Sequence, residues 1–170
     1  MSVERPERGG AWDFRGRLHP EYSPRRDGDP DPGEVVWAWV PFQEDPSQGK
    51  DRPIVVIGRD ADDAAVLVAL MLSSKGHDGD HDWLPIGAGA WDGEHRPSWV
   101  RIDRPLAVTE DGVRREGAVL PKDVFLTIVE AAGRRAAPTG RGAARPPAPP
   151  APARTGLLAR LGRLFRRSST

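Results

Sequence analysis

The sequence predicts a mainly β domain, a small barrel with one late α-helix packed on it, set between disordered N- and C-terminal tails. Three observations predict it. Short apolar runs rich in Val, Ile, Leu and Trp alternate with Asp-, Gly- and Pro-bearing turns through residues 33–133. Within that span a single stretch, opening at Pro121, repeats apolar residues at helical spacing. Outside it the composition turns to Arg, Pro, Gly and Ala without a sustained period.

Residues 1–32 read as a disordered or loosely packed segment, with Trp12 and Phe14 the side chains able to dock onto the domain. Val35-Val36-Trp37-Ala38-Trp39-Val40 is apolar on both faces, as in a strand buried between layers. A polar loop, Phe42 to Asp51, follows and closes on Gly49-Lys50-Asp51-Arg52-Pro53; it sets Arg52 at the mouth of the next strand, Ile54–Ile57. Gly58 ends that strand, Asp60, Asp62 and Asp63 mark a turn, and Val66 to Leu72 is the third run. Trp99 with Ile102, and Leu106 to Val108, give two shorter strands; Pro105 places the start of the last at a sheet edge. Pro121 suits a first helical position, Val124, Phe125, Ile128, Val129 and Ala132 form the apolar face, and Gly133 is the expected stop. The domain is therefore drawn at 33–133, with a Pro/Ala/Arg-rich linker at 134–155 and a basic amphipathic helix at 156–170.

The chain's 25 basic and 25 acidic residues balance only in sum. From Arg134 onward there are nine arginines and no acid, whereas residues 33–133 hold 10 basic and 18 acidic groups, a net of −8. A basic tail calls for an anionic partner: nucleic acid, a membrane surface, or the acidic body itself. In Gly156 to Arg167 the residues Leu157, Leu158, Leu161, Leu164 and Phe165 share one face against Arg160, Arg163, Arg166 and Arg167. Such a segment can lie on a membrane, dock into a partner, or bind RNA. With no apolar run of about 20 residues and no signal-type N-terminus, the expected location is cytoplasmic, with residues 156–167 as the peripheral membrane contact. The absence of cysteine excludes disulfides and thiolate metal sites.

Histidines and carboxylates crowd His77-Asp78-Gly79-Asp80-His81-Asp82, but a stretch this polar reads as a solvated loop, and no metal site is expected. Because it follows Ser73-Ser74-Lys75, His77 or His81 is a candidate for proton transfer. Trp83 and Trp91 are candidates for base stacking, while Trp99 is expected to pack in the barrel.

Four pieces of this sequence, in order, resemble the MazF/PemK family of toxins from type II toxin–antitoxin systems. They are Gly33-Glu34-Val35-Val36-Trp37, Gly49 to Ile57 with Gly-Lys-x-Arg-Pro, Leu70-Met71-Leu72-Ser73-Ser74-Lys75, and Val113-Arg114-Arg115-Glu116-Gly117 through Glu130. The resemblance is to an actinobacterial-type variant with an added Arg/Pro-rich C-terminal tail. It implies an SH3-like barrel of the MazF/PemK/CcdB type and a homodimer. The implied activity is an endoribonuclease on single-stranded RNA, working without cofactor or metal to leave a 2′,3′-cyclic phosphate and a 5′-hydroxyl. The implied partners are a cognate antitoxin and, through the antitoxin complex, operator DNA. Arg52 matches the family's catalytic arginine, and Ser73 or Ser74 stands where the family has a catalytic threonine. Lys50, Lys75, His77, Trp83 and Arg104 are the expected RNA contacts, although Asp103-Arg104 replaces the family's acid-Gln pair. Serine for threonine and the acidic body keep a second reading open, a non-catalytic barrel that binds nucleic acid or a protein partner and is localised by its tail.

Overall fold

Three antiparallel strands whose residues alternate between two buried faces organise the domain. In the computed structural model, which describes residues 9–137, these are β3 (Glu34–Pro41), β4 (Gly49–Asp60) and β5 (Leu67–Ser73). Val36, Ala38, Val40, Ile54, Val56, Leu67, Ala69 and Met71 fall on one face and form a cluster with Ala11, Leu106 and Val108. Val35, Val55, Ile57, Val68, Leu70 and Leu72 fall on the other, joined by Val100, Leu120, Phe125 and Ile128. Successive side chains on a strand point to opposite faces, so a strand covered on both sides needs apolar residues at every position. That is why these runs lack polar alternation.

The remaining strands are β1 (Trp12–Asp13), β2 (Leu18–Pro20), β6 (Trp83–Gly87), β7 (Ser98–Arg101), β8 (Leu106–Val108) and β9 (Val113–Val119). The sheet runs β1-β8-β5-β4-β3-β9 and curls around the first cluster as a half-barrel. Along one side β5 pairs with β4; along the other it pairs first with β8 and then, at Leu72 and Ser73, with β7. The β6–β7 hairpin thus branches away beside the end of β5 and walls off a space there. Helix α1 (Lys122–Ala136) covers the second face with Phe125, Ile128 and Ala132. Removing the Phe125 ring would cost about 3–5 kcal/mol, as buried aromatic truncations do.

Several expectations need correction. Residues 9–32 are not loosely packed: Ala11 is fully buried, β1 pairs with β8, β2 pairs with β4, and the Tyr22 hydroxyl donates to the Leu120 carbonyl at 2.8 Å. Two glycines admit this segment. A Cβ at Gly58 would lie 2.1 Å from the His19 carbonyl oxygen; one at Gly33, where φ is +102°, would lie 2.8 Å from the Tyr22 ring. Strand β8 is flanked on both sides, because β1 supplies its second neighbour, and the carbonyl of Pro105 accepts from the Phe14 N–H at 2.9 Å. Proline cannot donate to a ladder, but it can accept. The connection before Arg52 is shorter than expected, since Gly49, Lys50 and Asp51 already pair with β3. What is left, residues 42–48, is closed by Asp45, which accepts from Ser47 and Gln48. Strand β6 carries Pro85 and pairs only with β7, the edge position where a strand tolerates proline. Helix α1 runs past Gly133 to Ala136; Arg134 binds Glu130 one turn back and Arg135 binds Asp82. The first two tail arginines therefore belong to the domain. The rest of the predicted linker and the amphipathic helix at 156–170 lie outside the described residues. Among the described residues, no helix is long and apolar enough to cross a membrane.

Candidate active site

At the open end of β4 and β5 lies a cavity of about 650 Å³. Ile54 pairs with Met71, and counting two residues outward along each strand reaches Arg52 and Ser73. The alternation of β-strands puts both on the face that carries Ile54 and Met71. Lys50 lies on that face two residues before Arg52. The cavity wraps the strand ends and also takes Trp37, Ser74, Lys75, His77, Trp83 and Arg101 into its lining.

Arg52 is a cation with no ion-pair or hydrogen-bond partner among the described residues. Partial burial holds its pKa below the usual arginine value, and the charges of Arg101 and Arg104 push in the same direction. The acids close to it in sequence are engaged elsewhere: Asp51 faces Arg114 at 3.3 Å, and Asp45 caps its own turn. A surface ion pair, the plain alternative role for Arg52, is therefore not formed.

Its two basic neighbours are neutralised. Arg101 forks onto Asp103 at 2.7 and 3.1 Å and donates to Gln43 at 3.0 Å; the Asp103 bond is the main reason its pKa is raised. Arg104, expected among the RNA contacts, does not line the cavity. Its side chain is 10% exposed and donates to Asp13 at 2.7 Å and to the Pro41 carbonyl at 3.1 Å, fastening the N-terminal segment to the end of β3. Burial and two good acceptors consume the donors that a phosphate would need.

Ser73 Oγ accepts the Lys75 N–H at 3.1 Å, so the serine does cap the strand end, and it also lies 3.1 Å from His77 Nε2. Ser74, the residue after β5, also lines the cavity, while the alternation of β5 puts the Ser73 hydroxyl on Arg52's face. The His77 ring lies flat on Trp83, centroids 3.7 Å apart and planes within 6°, and meets the edge of Trp99 at 6.3 Å. One indole face of Trp83 is thus already occupied. Trp99 is half-buried and braces His77 rather than joining either apolar cluster. His81 is exposed and outside the lining, so the structure separates the two histidines that sequence left equal.

Trp91 also lines the cavity; its Nε1 is buried and, among the described residues, has no hydrogen-bond partner. Beside it Asp92 and Glu94 hold Arg96 at 3.0 and 3.4 Å. Arg101, Trp37 and this Asp92–Arg96 loop carry no local pattern that marks them as site residues. The branching of the β6–β7 hairpin brings Arg101 and the loop to the cavity, and β3 brings Trp37 there through its pairing with Pro53.

The sequence profile of the PemK-like, MazF-like toxins of type II toxin–antitoxin systems matches residues 31–134, more than half of the chain. The chain belongs to this family. Among solved structures it is similar to the Mycobacterium tuberculosis toxin MazF-mt6, at 17% identity over 60% of this chain and 94% of that one, with a TM-score of 0.44. Two MazE-MazF crystal structures from Deinococcus radiodurans are also similar. Form II is 22% identical over 64% of this chain and 96% of that one; form III is 21% identical over 62% and 94%. Both have a TM-score of 0.46. No curated protein matches the chain. The match begins at residue 31, so the packed segment 9–30 lies outside the matched region.

Proposed function

We propose that this PemK/MazF-family toxin is an endoribonuclease that cuts single-stranded RNA at the cavity between Arg52 and Ser73. The observation that carries the reading is the unneutralised guanidinium of Arg52 on the same strand face as the Ser73 hydroxyl. Cleavage by the RNA's own 2′-hydroxyl requires a cation at the phosphorus, alignment of the attacking oxygen, and a route for its proton. Arg52 can fork onto two phosphate oxygens, as guanidinium geometry favours. Lys50 and Lys75 add charge along the approach, and Ser73 receives the 2′-hydroxyl. No step draws on a metal. Residues 33–133 being acidic on balance, 18 acids against 10 bases, the basic groups gathered at this cavity are what attract a phosphate.

The same cations suit an acidic peptide, and the Deinococcus structures pair their MazF with a MazE. We assign this toxin an antitoxin that inhibits it by presenting carboxylates to Arg52, a homodimeric state, and a cytoplasmic location. The test is incubation of the full chain with single-stranded RNA in EDTA. The wild type is expected to leave 5′-hydroxyl ends that a kinase labels without prior phosphatase treatment, and Arg52→Ala is expected to leave the RNA intact. Full cleavage by Arg52→Ala would remove Arg52 from the chemistry. RNA binding by the wild type without any cutting would favour the non-catalytic barrel.

A further inference from the structure

We infer that His77 is the proton acceptor behind Ser73, drawing off the serine hydroxyl proton as that hydroxyl takes the proton of the attacking 2′-oxygen. The inference rests on the ribonuclease reading above and adds to it the group in which the proton comes to rest. Ser73 Oγ has one proton and two lone pairs. The Lys75 N–H occupies one pair at 3.1 Å, and His77 Nε2 stands 3.1 Å from the same oxygen. With the ring proton on Nδ1, Nε2 accepts the Ser73 O–H, and the second lone pair of Oγ is left for the substrate.

The ring is held for this task from two sides. Trp83 on β6 lies flat against it at 3.7 Å and Trp99 on β7 meets it edge-on, so two adjacent strands fix the direction of Nε2. An indole face also attracts a cationic ring, so the stack accommodates the imidazolium that forms. The charged groups on the surrounding elements are Lys75, Asp78 and Asp80 on the same loop, Asp82 before β6 with its partner Arg135 from α1, Arg101 on β7 and Arg52 on β4.

In the step itself, the 2′-O–H proton passes to Ser73 Oγ while the Ser73 proton passes to His77 Nε2. The electron pair released on the 2′-oxygen forms the bond to phosphorus. The P–O5′ bond breaks with its pair going to the 5′-oxygen, which takes a proton from water. The hydroxide so formed takes the proton of the imidazolium, and the site returns to its starting state. Serine and histidine act as one relay, so neither needs to be ionised before substrate arrives.

The experiment is cleavage of a random-sequence single-stranded RNA pool by the full chain across about pH 5 to 9, for wild type and His77→Gln, with RNA affinity measured alongside. Glutamine keeps a polar group near the Nε2 position but cannot hold the proton. The wild-type rate is expected to rise with pH as the imidazole becomes free to accept a proton. His77→Gln should lose about 10²-fold in rate at unchanged affinity, and that limb of the profile should vanish. A His77→Gln rate within about twofold of wild type, with the limb retained, overturns the relay. A second readout does not depend on activity: Ser73→Ala should move the His77 Nε2 resonance in a ¹⁵N-histidine spectrum, and an unmoved resonance overturns the hydrogen bond. A wild type that leaves RNA uncut while that resonance still moves would overturn the ribonuclease reading, and the relay with it.

Discussion

Arg52 and Arg59 stand seven residues apart on the same strand, and their surroundings are opposite in sign. Arg59 lies 3.6 Å from Asp31 and 3.8 Å from Glu21, and donates to the Ala64 carbonyl at 3.0 Å. It binds the N-terminal segment and the turn after β4 to the sheet. Arg52 has Arg101 and Arg104 as its charged neighbours and, among the described residues, no acid to answer it. Two arginines on one strand are therefore a brace and an anion site, and only the company each keeps distinguishes them. A guanidinium held against like charge is stabilised by an arriving phosphate; one already met by carboxylates is not.

The comparison breaks most sharply at Arg52. Replacing it with alanine should lower RNA cleavage by about 10²–10³-fold, the usual cost of losing a donor to developing charge. Thermal unfolding should stay level or move upward, because a like-charge contact is relieved. A clear fall in the melting temperature would class Arg52 with the braces. Arg59→Ala should show the reverse: urea denaturation registers a loss of about 1–2 kcal/mol, as for a buried acid left with one of its two arginine partners, while the folded fraction cuts RNA at the wild-type rate.

Asp31 sharpens the brace side. Burial raises its pKa above the ordinary carboxylate value even though Arg25 and Arg59 act against the rise. The folded state thus binds this proton more tightly than the unfolded state. The stabilising contribution is full below the unfolded value of about 3.9 and is lost as pH rises through the folded value. At neutral pH the wild type carries the cost of a buried charge that Asp31→Asn lacks. The variant should therefore melt slightly higher at pH 7, by less than about 1 kcal/mol, with the gap closing as pH falls to about 4. A gap that widened on acidification would contradict this.

The smallest effect belongs to Asp51, whose partner Arg114 is 59% exposed. Asp51→Asn should change stability by under about 0.5 kcal/mol, as exposed pairs do. Because Asp51 also lines the cavity, its loss should tighten RNA binding at low salt, and raised ionic strength should erase the gain. Weaker binding in the variant would place the acid on the attractive side of the site.

The fold was largely legible in the sequence. The doubly apolar runs Val35–Val40, Ile54–Ile57 and Val66–Leu72 became the three central strands, and the residues from Val124 to Ala132 became the helical face, because both patterns are local consequences of burial. Strand β6 was not legible, since Pro85 mimics a loop and only its pairing with β7 reveals the strand. The N-terminal segment was misjudged for a related reason. Its scattered apolar residues, among them Ala11, Phe14, Leu18 and Tyr22, form no periodic pattern, and each packs against partners distant in the chain.

The candidate site divides along the same line. Sequence alone determined that Arg52 precedes a buried strand, that Ser73 ends one, and that a histidine follows within a turn of it; these are facts of order along the chain. Tertiary structure decided that Arg52 is left uncompensated while Arg104 is consumed by Asp13. It also decided that His77, and not His81, reaches Ser73, and that Arg101 joins the cavity. The reason is physical: charge compensation and hydrogen bonding act across a few ångströms of space, and the registers of β4 with β5 and of β5 with β7 choose which distant residues meet there.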